Sequence, residues 1–509
     1  MKSLEQLRRD AKALKRAHDA GDAEALRRLA VHPPKVSGPL KHADYLHVIA
    51  QEQGFASWPR LKLSIETEGG DRAQMTQRLK IALFHGRIAV IERLLEQAPD
   101  LADGLFALKV ALQDRDAVEA MLEEDPSRAT QSYGPRGRPI CHLAFSRWIH
   151  ARPEWTPKML AIAEALLAHG ADVNDSCPVG PENDHPLSAL YGAIGHADNM
   201  ALARWLLEHG ADPNDGESLY HATELGHHEG LTLLLNHGAD PKGTNALLRA
   251  MDFNDHVAVE MLLKAGADPD EFAAEPVGGE QPRVIPALHQ AARRMCDARM
   301  IELLLDAGAD PACRFEGASA YGYARVFGNR ALAKALEARG AATELTPEET
   351  LLARAADGDD TTGAYIDPAR LPEAYRNIIR TILHLPGKLD HLRRLAALGV
   401  ETDRADAEGL TPIQVAGWEG LPEVMSWLLG QRPDLGHVNG YGGTLFATIL
   451  HGSENCPARA ERDHIGCARI ALEHGVALPR PLVEAAGAPD MAAFLADWAE
   501  ARPGQVTPG

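Results

Sequence analysis

The sequence predicts an all-α chain that copies one helix-turn-helix unit about eleven or twelve times as a stacked solenoid, with several copies degenerate and some carrying irregular insertions. Three observations predict it. First, a leucine-rich segment runs out at Gly-Ala in Gly170-Ala171-Asp172, Gly210-Ala211-Asp212, Gly238-Ala239-Asp240, Gly266-Ala267-Asp268, Gly308-Ala309-Asp310 and, blurred, Gly340-Ala341-Ala342. Glycine just past a helical face is a stop signal, because it enters the left-handed conformation at little steric cost. Second, each of the first five stops follows an apolar run: Leu166-Leu167, Leu206-Leu207, Leu233-Leu234-Leu235, Leu262-Leu263 and Leu303-Leu304-Leu305. Third, hydrophobic residues make up 45% of the chain and aromatics only 5%. Ala, Leu, Glu and Arg dominate over β-branched alternation, which favours closely packed helices.

A conventional chain of 509 residues would divide into about three domains, but a stacked array grows along one axis and needs no single large core. Residues 1–66 are expected to form N-terminal capping helices and a degenerate first repeat, because a terminal unit must replace a buried face by a polar one. Its parts are a charged helix over Leu4–Leu29, an inner helix over Ala43–Ala50 and an outer helix beginning at Gly54–Lys62. Residues 67–342 form the main array. It opens with degenerate pairs over Arg78–Glu96 and Phe106–Glu123, and irregular spacing of the stops places insertions at Trp148–Pro157 and, as a finger loop, at Phe272–Val284. Residues 343–400 read as degenerate bridging repeats: Thr346-Pro347 starts a helix over Glu348–Ala356, and Leu371–Leu385 and Leu389–Leu398 form a pair ending at Gly399. Residues 401–498 form a second sub-array and cap, closed by helices over His464–His474 and Pro481–Trp498. The tail, 499–509, is expected to be disordered.

The clearest unit start is Asp406-Ala407-Glu408-Gly409-Leu410-Thr411-Pro412-Ile413-Gln414-Val415-Ala416. Thr411 can cap the helix, and Pro412 at its first position forfeits a donor that would be orphaned anyway. The same entry recurs at Asn439–Leu445, Pro186-Leu187, Ile285–Ala292 and Glu217–Thr223, the last followed by Gly226-His227. This pattern resembles the ankyrin repeat: a turn of type D-x-x-G-x-T-P-L-H, a short inner helix, G-H, a longer outer helix with L-L, then G-A-D-x-N. Gly170–Asn174 and Gly210–Asn214 complete that ending. The resemblance runs from about Ile140 to Ala342 and from about Arg404 to Leu435, and the first segment is similar to the N-terminal cap of a group of bacterial ankyrin proteins. It implies an array on the order of 100 Å long with a curved inner surface, a binding geometry rather than a catalytic one.

Net charge is −20, which argues against a nucleic-acid partner. The basic stretch within residues 1–41 reads as a solvated helix face. Six cysteines lie at 141, 177, 296, 313, 456 and 467 without a CxxC, which fits a reducing compartment. The start lacks an apolar secretory core, and no run approaches the roughly 20 apolar residues that span a bilayer. A cytoplasmic protein without membrane contact is the expectation. Among the 23 histidines, His169, His209, His237 and His474 precede glycine stops, where an imidazole meets free carbonyls at the end of a helix. His227-His228 and His289 fall on family positions. Cys141, His142 and His150 form the one loose His/Cys cluster, short of the ligands a zinc site needs. Gly440–Thr444 lacks the Lys-Ser/Thr of a phosphate loop and lies in register with the repeat turn. No catalytic residue, metal or cofactor is expected.

The resemblance assigns partner binding to outward positions of the inner helices and finger turns. In register these are His221, Glu224 and Leu225; Arg249, Asp252 and Phe253; Gln290, Arg293 and Arg294; Tyr323, Val326 and Phe327; and Val415, Trp418 and Glu419. Those chosen as partner-binding are His221, Leu225, Arg249, Phe253, Gln290, Arg293, Arg294, Tyr323, Phe327, Val415, Trp418 and Glu419. Large aromatics at such positions are not required by the fold, and aromatics and Arg are enriched in interface hot spots. Replacing Phe253, Phe327 and Trp418 by Ala is therefore expected to spare stability and weaken capture; loss of folding would assign them to the core. The functional expectation is a monomeric, non-catalytic scaffold for one or more proteins. The alternative is an enzyme or small-ligand or metal binder with its site in the insertions near 141–157 and 177–185.

Overall fold

The computed structural model describes residues 4–33, 40, 42–55, 57–58, 61, 71–180, 183–271 and 285–508. The finger loop expected at Phe272–Val284 lies outside them, as does most of the outer helix expected from Gly54.

Every predicted glycine stop is left-handed, with φ of 92° at Gly170, 94° at Gly210, 88° at Gly238, 102° at Gly266, 96° at Gly308 and 69° at Gly340. The alanine that follows donates its N–H to the carbonyl of a leucine in the preceding run, as in Ala171 to Leu166 at 3.0 Å and Ala211 to Leu206 at 2.9 Å. That leucine is itself buried: Leu166, Leu206, Leu234, Leu262, Leu304 and Leu336 are all at 0% exposure. The carbonyl that closes each cap therefore belongs to a fully buried leucine. The histidines before the stops complete the cap. His169, His209, His237 and His474 each place Nδ1 within 2.7–2.8 Å of the carbonyl four residues back.

The Asp of four of these stops, Asp172, Asp212, Asp268 and Asp310, accepts from a backbone N–H two residues on, at 2.9 Å for Asn174 and Asn214. Asn174 Oδ1 then accepts from Asp212 N at 2.8 Å, Asn214 Oδ1 from Asp240 N at 2.7 Å, and Asp270 Oδ2 from Asp310 N at 2.7 Å. The polar residue closing G-A-D-x-N thus fixes the spacing of neighbouring copies.

The chain divides into two compact units, one ending at Asp240 and the other beginning at Pro241. This boundary falls inside the array expected over 67–342. In the first unit a charged segment packs its own core from Leu7, Leu14, Leu29, Tyr45, Ile49 and Leu61. The single helix expected over Leu4–Leu29 is two, Leu4–Asp19 and Ala23–Val31, separated at Gly21 and restarted by Asp22, whose carboxylate accepts from Ala25 N at 2.8 Å. Helices Phe106–Ala111, Pro139–Ala144, Ala189–Tyr191 and Ser218–Ala222 stack as an inner row. Arg115–Glu124, Thr156–Ala168, Met200–Glu208 and Glu229–Asn236 stack as an outer one. The 148–157 insertion forms two short 3-10 turns, Arg147–Ala151 and Pro153–Trp155, with Trp148 and Ile149 buried. The 177–185 insertion belongs to an antiparallel hairpin, Ser176–Gly180 with Asn183–Ser188.

In the second unit, inner helices Ala246–Asp252, Ala287–Arg293, Ala320–Phe327 and Pro347–Asp357 stack in sequence. The region expected to bridge two sub-arrays continues this packing. Thr346 and Glu349 form a reciprocal capping box at 2.9 and 3.1 Å, and Ile378–Ile382 packs on Pro412–Trp418, which packs on Leu445–Asn455. The tail is a correction to the expected disorder. Val506–Thr507 pairs in parallel with Leu478–Pro479, and the Trp498 indole N–H donates to Gln505 Oε1 at 2.9 Å. Two prolines do not prevent order where a side-chain amide and an indole hold the chain.

Candidate binding site

Several residues expected to face outward are buried, for identifiable reasons. Tyr323 and Phe327, 3% and 1% exposed, stack on each other with centroids 4.2 Å apart and lie against His289 and Tyr375. Val326 beside them is fully buried. Gln290 reaches back to the preceding inner helix, donating to Asp252 Oδ1 at 2.5 Å, and Arg293 Nε donates to Gln290 Oε1. His221, 8% exposed, is clasped between the carboxylates of Glu217 at 3.3 Å and Glu224 at 2.8 Å. Burial alone would push its pKa down, but these hydrogen bonds outweigh burial and raise it to about 9. His185 of the hairpin also bonds Glu217. Leu225 and Arg249 are partly buried, whereas Phe253 is 53% exposed under the Arg249 guanidinium, 5.0 Å from its centroid.

Arg293, Arg294, Val415, Trp418 and Glu419 come together, all five lining one cavity of about 760 Å³ in the second unit. Helices Ala287–Arg293, Ile378–Ile382, Pro412–Trp418 and Leu445–Asn455 supply its walls. The close approach of the last two depends on glycine. A Cβ on Gly417 would meet Ile449 Cγ1 at 2.6 Å, and one on Gly452 would meet the Trp418 carbonyl oxygen at 2.3 Å. This contact sets the Trp418 ring beside His451, with centroids 5.1 Å apart. The Asn439–Thr444 turn closes one side: Asn439 Oδ1 accepts from Gly443 N at 2.8 Å and Tyr441 N at 3.1 Å, leaving the Tyr441 ring 75% exposed.

Three guanidiniums and one carboxylate line the cavity. Arg294 Nε is engaged by Asp252 at 2.7 Å. Arg380 pairs through Nη1 with Asp406 Oδ2 at 3.0 Å, with the two side chains 11% and 3% exposed. Its Nε and Nη2 are buried and meet no acceptor among the described residues. Burial, with Arg294 and Arg462 nearby, holds the His384 pKa down at about 4, so the ring is neutral at physiological pH. Burial raises the Glu419 carboxyl, and Arg462, 3.8 Å away, and Arg294 counter this in part.

Arg380, Thr381, His384, Asn439, Tyr441, Thr448 and His451 escaped the sequence reading. Thr448 and His451 occupy the register of Val415 and Trp418 one repeat further on, a signal present at the Asn439–Leu445 entry. Arg380 and His384 lie where the glycine signature lapses, so no register pointed to them.

In the region of the alternative site, Cys141 and Cys177 share a hydrogen bond that, with the Arg136 guanidinium 3.8 Å from Cys177 Sγ, brings the Cys177 thiol down to about 7. His142 and His150 bond instead to the Tyr133 and Ala197 carbonyls. Among the described residues no group of three or more His, Cys, Asp or Glu is arranged to hold a metal ion, and no helix is long and apolar enough to cross a membrane.

The chain is similar to the solved ankyrin repeat domain of human ASB11, with 22% identity over 43% of this chain and 90% of that one and a TM-score of 0.31. It is also similar to the ankyrin repeat domain of Bcl-3, described as a unique member of the IkappaB protein family, with 20% identity over 51% and 97% and a TM-score of 0.32. No curated protein matches it. Residues 189–273 match the family model for ankyrin repeats in three copies and residues 286–314 that for a single ankyrin repeat; with the stops, caps and stacked helix pairs described above, the chain contains ankyrin repeats.

Proposed function

We propose that this protein is a non-catalytic scaffold that holds one or more protein partners, and that a partner seats on the inner-helix surface of the second unit, around the Arg294–Trp418 cavity. Ankyrin repeats are in general protein–protein interaction modules. The observation that carries the finer reading is the cavity itself: inner-helix residues from separate repeats converge on about 760 Å³ of open space. They bring Arg, Trp and an exposed Tyr, the residue types that dominate interface hot spots. A monomer in a reducing, cytoplasmic setting fits the six free thiols, five of them buried.

A photo-crosslinking residue at Tyr441, with a control at exposed Ile81 in the first unit, tests the reading in extract of the source cell. A protein adduct from Tyr441 that vanishes in Trp418→Ala is the expected result. Adducts from the control alone, or adducts indifferent to Trp418, would refute it.

A further inference from the structure

We propose that the cavity takes a carboxylate, presented beside an apolar or aromatic side chain by a segment of a partner polypeptide. This rests on the reading that a partner seats on this face and names what it offers there.

The argument begins with Arg380. Its partner Asp406 engages it through Nη1 alone: Oδ2 holds Nη1 of Arg380, and Oδ1 accepts instead from Glu408 N at 3.1 Å and Leu410 N at 2.8 Å. The other two nitrogens, Nε and Nη2, share one edge of the guanidinium plane and meet no acceptor among the described residues. Leaving buried N–H groups unmade costs about 1–3 kcal/mol in general, and a planar two-donor edge matches the two oxygens of a carboxylate. This molecule uses that same edge elsewhere: Arg28 holds Glu52 through Nε and Nη2, each at 2.7 Å.

The rest of the wall sets charge and size. Of the three guanidiniums on the wall, Arg294 and Arg380 are each paired with one aspartate and the lining carboxylate is Glu419, so the feature left for an anion is the unmade Nε–Nη2 edge of Arg380. A monoanion fits better than a phosphate dianion. Arg294 is already engaged by Asp252 and Arg293 by Gln290, and His384 adds no positive charge because burial keeps it neutral. Beside this cationic side lie Leu410, Val415, Trp418, Ala447 and the exposed Tyr441 ring, which suit an apolar neighbour of the acid. Such a pairing occurs on adjacent residues of a polypeptide.

The test probes the full chain with an array of heptapeptides that pairs Asp or Glu with each apolar residue, alongside the same array carrying Asn or Gln and one carrying phosphoserine. Acidic peptides are expected to be retained at least about tenfold better than their amide counterparts. Arg380→Gln should erase that preference and Trp418→Ala should weaken both arrays alike. Arg294→Gln serves as a second variant if thermal melting shows that Arg380→Gln does not fold, and it should reduce the preference in the same direction. Equal retention of acids and amides, or a preference surviving both arginine variants, overturns the proposal. So does stronger retention of phosphoserine. 3-Phenylpropionate is the small-molecule arm: a shift of the Trp418 indole signal in NMR, with no peptide retained, would overturn the polypeptide source. Crosslinking at Tyr441 without acid preference sinks this inference and leaves the scaffold reading standing.

Discussion

Two inner helices of the second unit carry aromatics in the same outward register and put them to opposite use. On Ala320–Phe327, Tyr323 and Phe327 stack face to face, and Tyr375 from the following segment lies 5.8 Å from Tyr323, so both rings are core. On Pro412–Trp418, the ring partner of Trp418 among the described residues is the tilted His451, and Trp418 opens on a cavity. Register alone therefore does not decide whether an inner-helix aromatic binds a partner. What decides is whether the next segment closes over it. Tyr375 closes the first site through a buried hydrogen bond, its hydroxyl donating to Glu349 Oε1 at 2.7 Å. At the second, the facing residues are Arg380 and His384, which leave space rather than fill it.

Phe327→Ala should separate the two helices most strongly. A buried phenyl removed from a packed core costs about 3–5 kcal/mol, so the urea midpoint of the second unit should fall sharply. A loss below about 1 kcal/mol would mean that the stack is dispensable and the comparison wrong.

Much of this was legible in the sequence. The stops at Gly170 through Gly340, the leucines ahead of them and the histidine caps follow from short-range chemistry that a single repeat contains. The site was legible only in part. Trp418 and Arg294 could be placed by register, but the burial of Phe327 depends on Tyr375, which belongs to a segment without the glycine signature. Arg380 was hidden for the same reason. Its partner Asp406 announces a turn, and nothing local says that an arginine from another repeat will meet it. The tail misled because composition describes the chain and not the Gln505 amide and Trp498 indole that hold it.

Acid probes both aromatic neighbourhoods. His289, 5.1 Å from Tyr323, and His384, at the cavity, are each held down at about 4 by burial. A base whose folded pKa lies below its ordinary 6.5 contributes stability that is complete above that value and is lost as pH falls toward 4. Near pH 5 the loss should be on the order of 2 kcal/mol for each ring. Urea midpoints measured against pH should show a shallower acid limb in His289→Gln and in His384→Gln than in the wild type. His391, held down at about 3, leaves part of the limb in either variant. An acid limb unchanged by both substitutions would show that neither ring titrates as its burial requires.

Trp418→Ala sharpens the contrast from the other side. The indole is half-buried and bounded by open space, so its removal should cost about 1 kcal/mol of stability. Crosslinking and peptide retention should nevertheless fall about tenfold. A stability loss as large as that of Phe327→Ala would move Trp418 into the core and empty the site of its main apolar anchor.

Phe253 makes the smallest change and the finest distinction. It is 53% exposed, and its ring contact among the described residues is the Arg249 guanidinium at 5.0 Å, itself paired with Asp252 at 3.1 Å. An exposed cation–π contact is worth about 0.5–1 kcal/mol, so Phe253→Ala should shift the unfolding midpoint barely, without touching acid-selective peptide retention. If retention falls with it, the binding surface extends from the cavity along the inner row to Ala246–Asp252, and Asp252 then links the two patches, because the same carboxylate holds Arg249, Arg294 and the Gln290 amide. If retention is unchanged, the exposed ring is a solvated side chain, and exposure fails as a guide to binding just as outward register failed for Phe327. Open space bounded by unspent polar donors is then the criterion that remains.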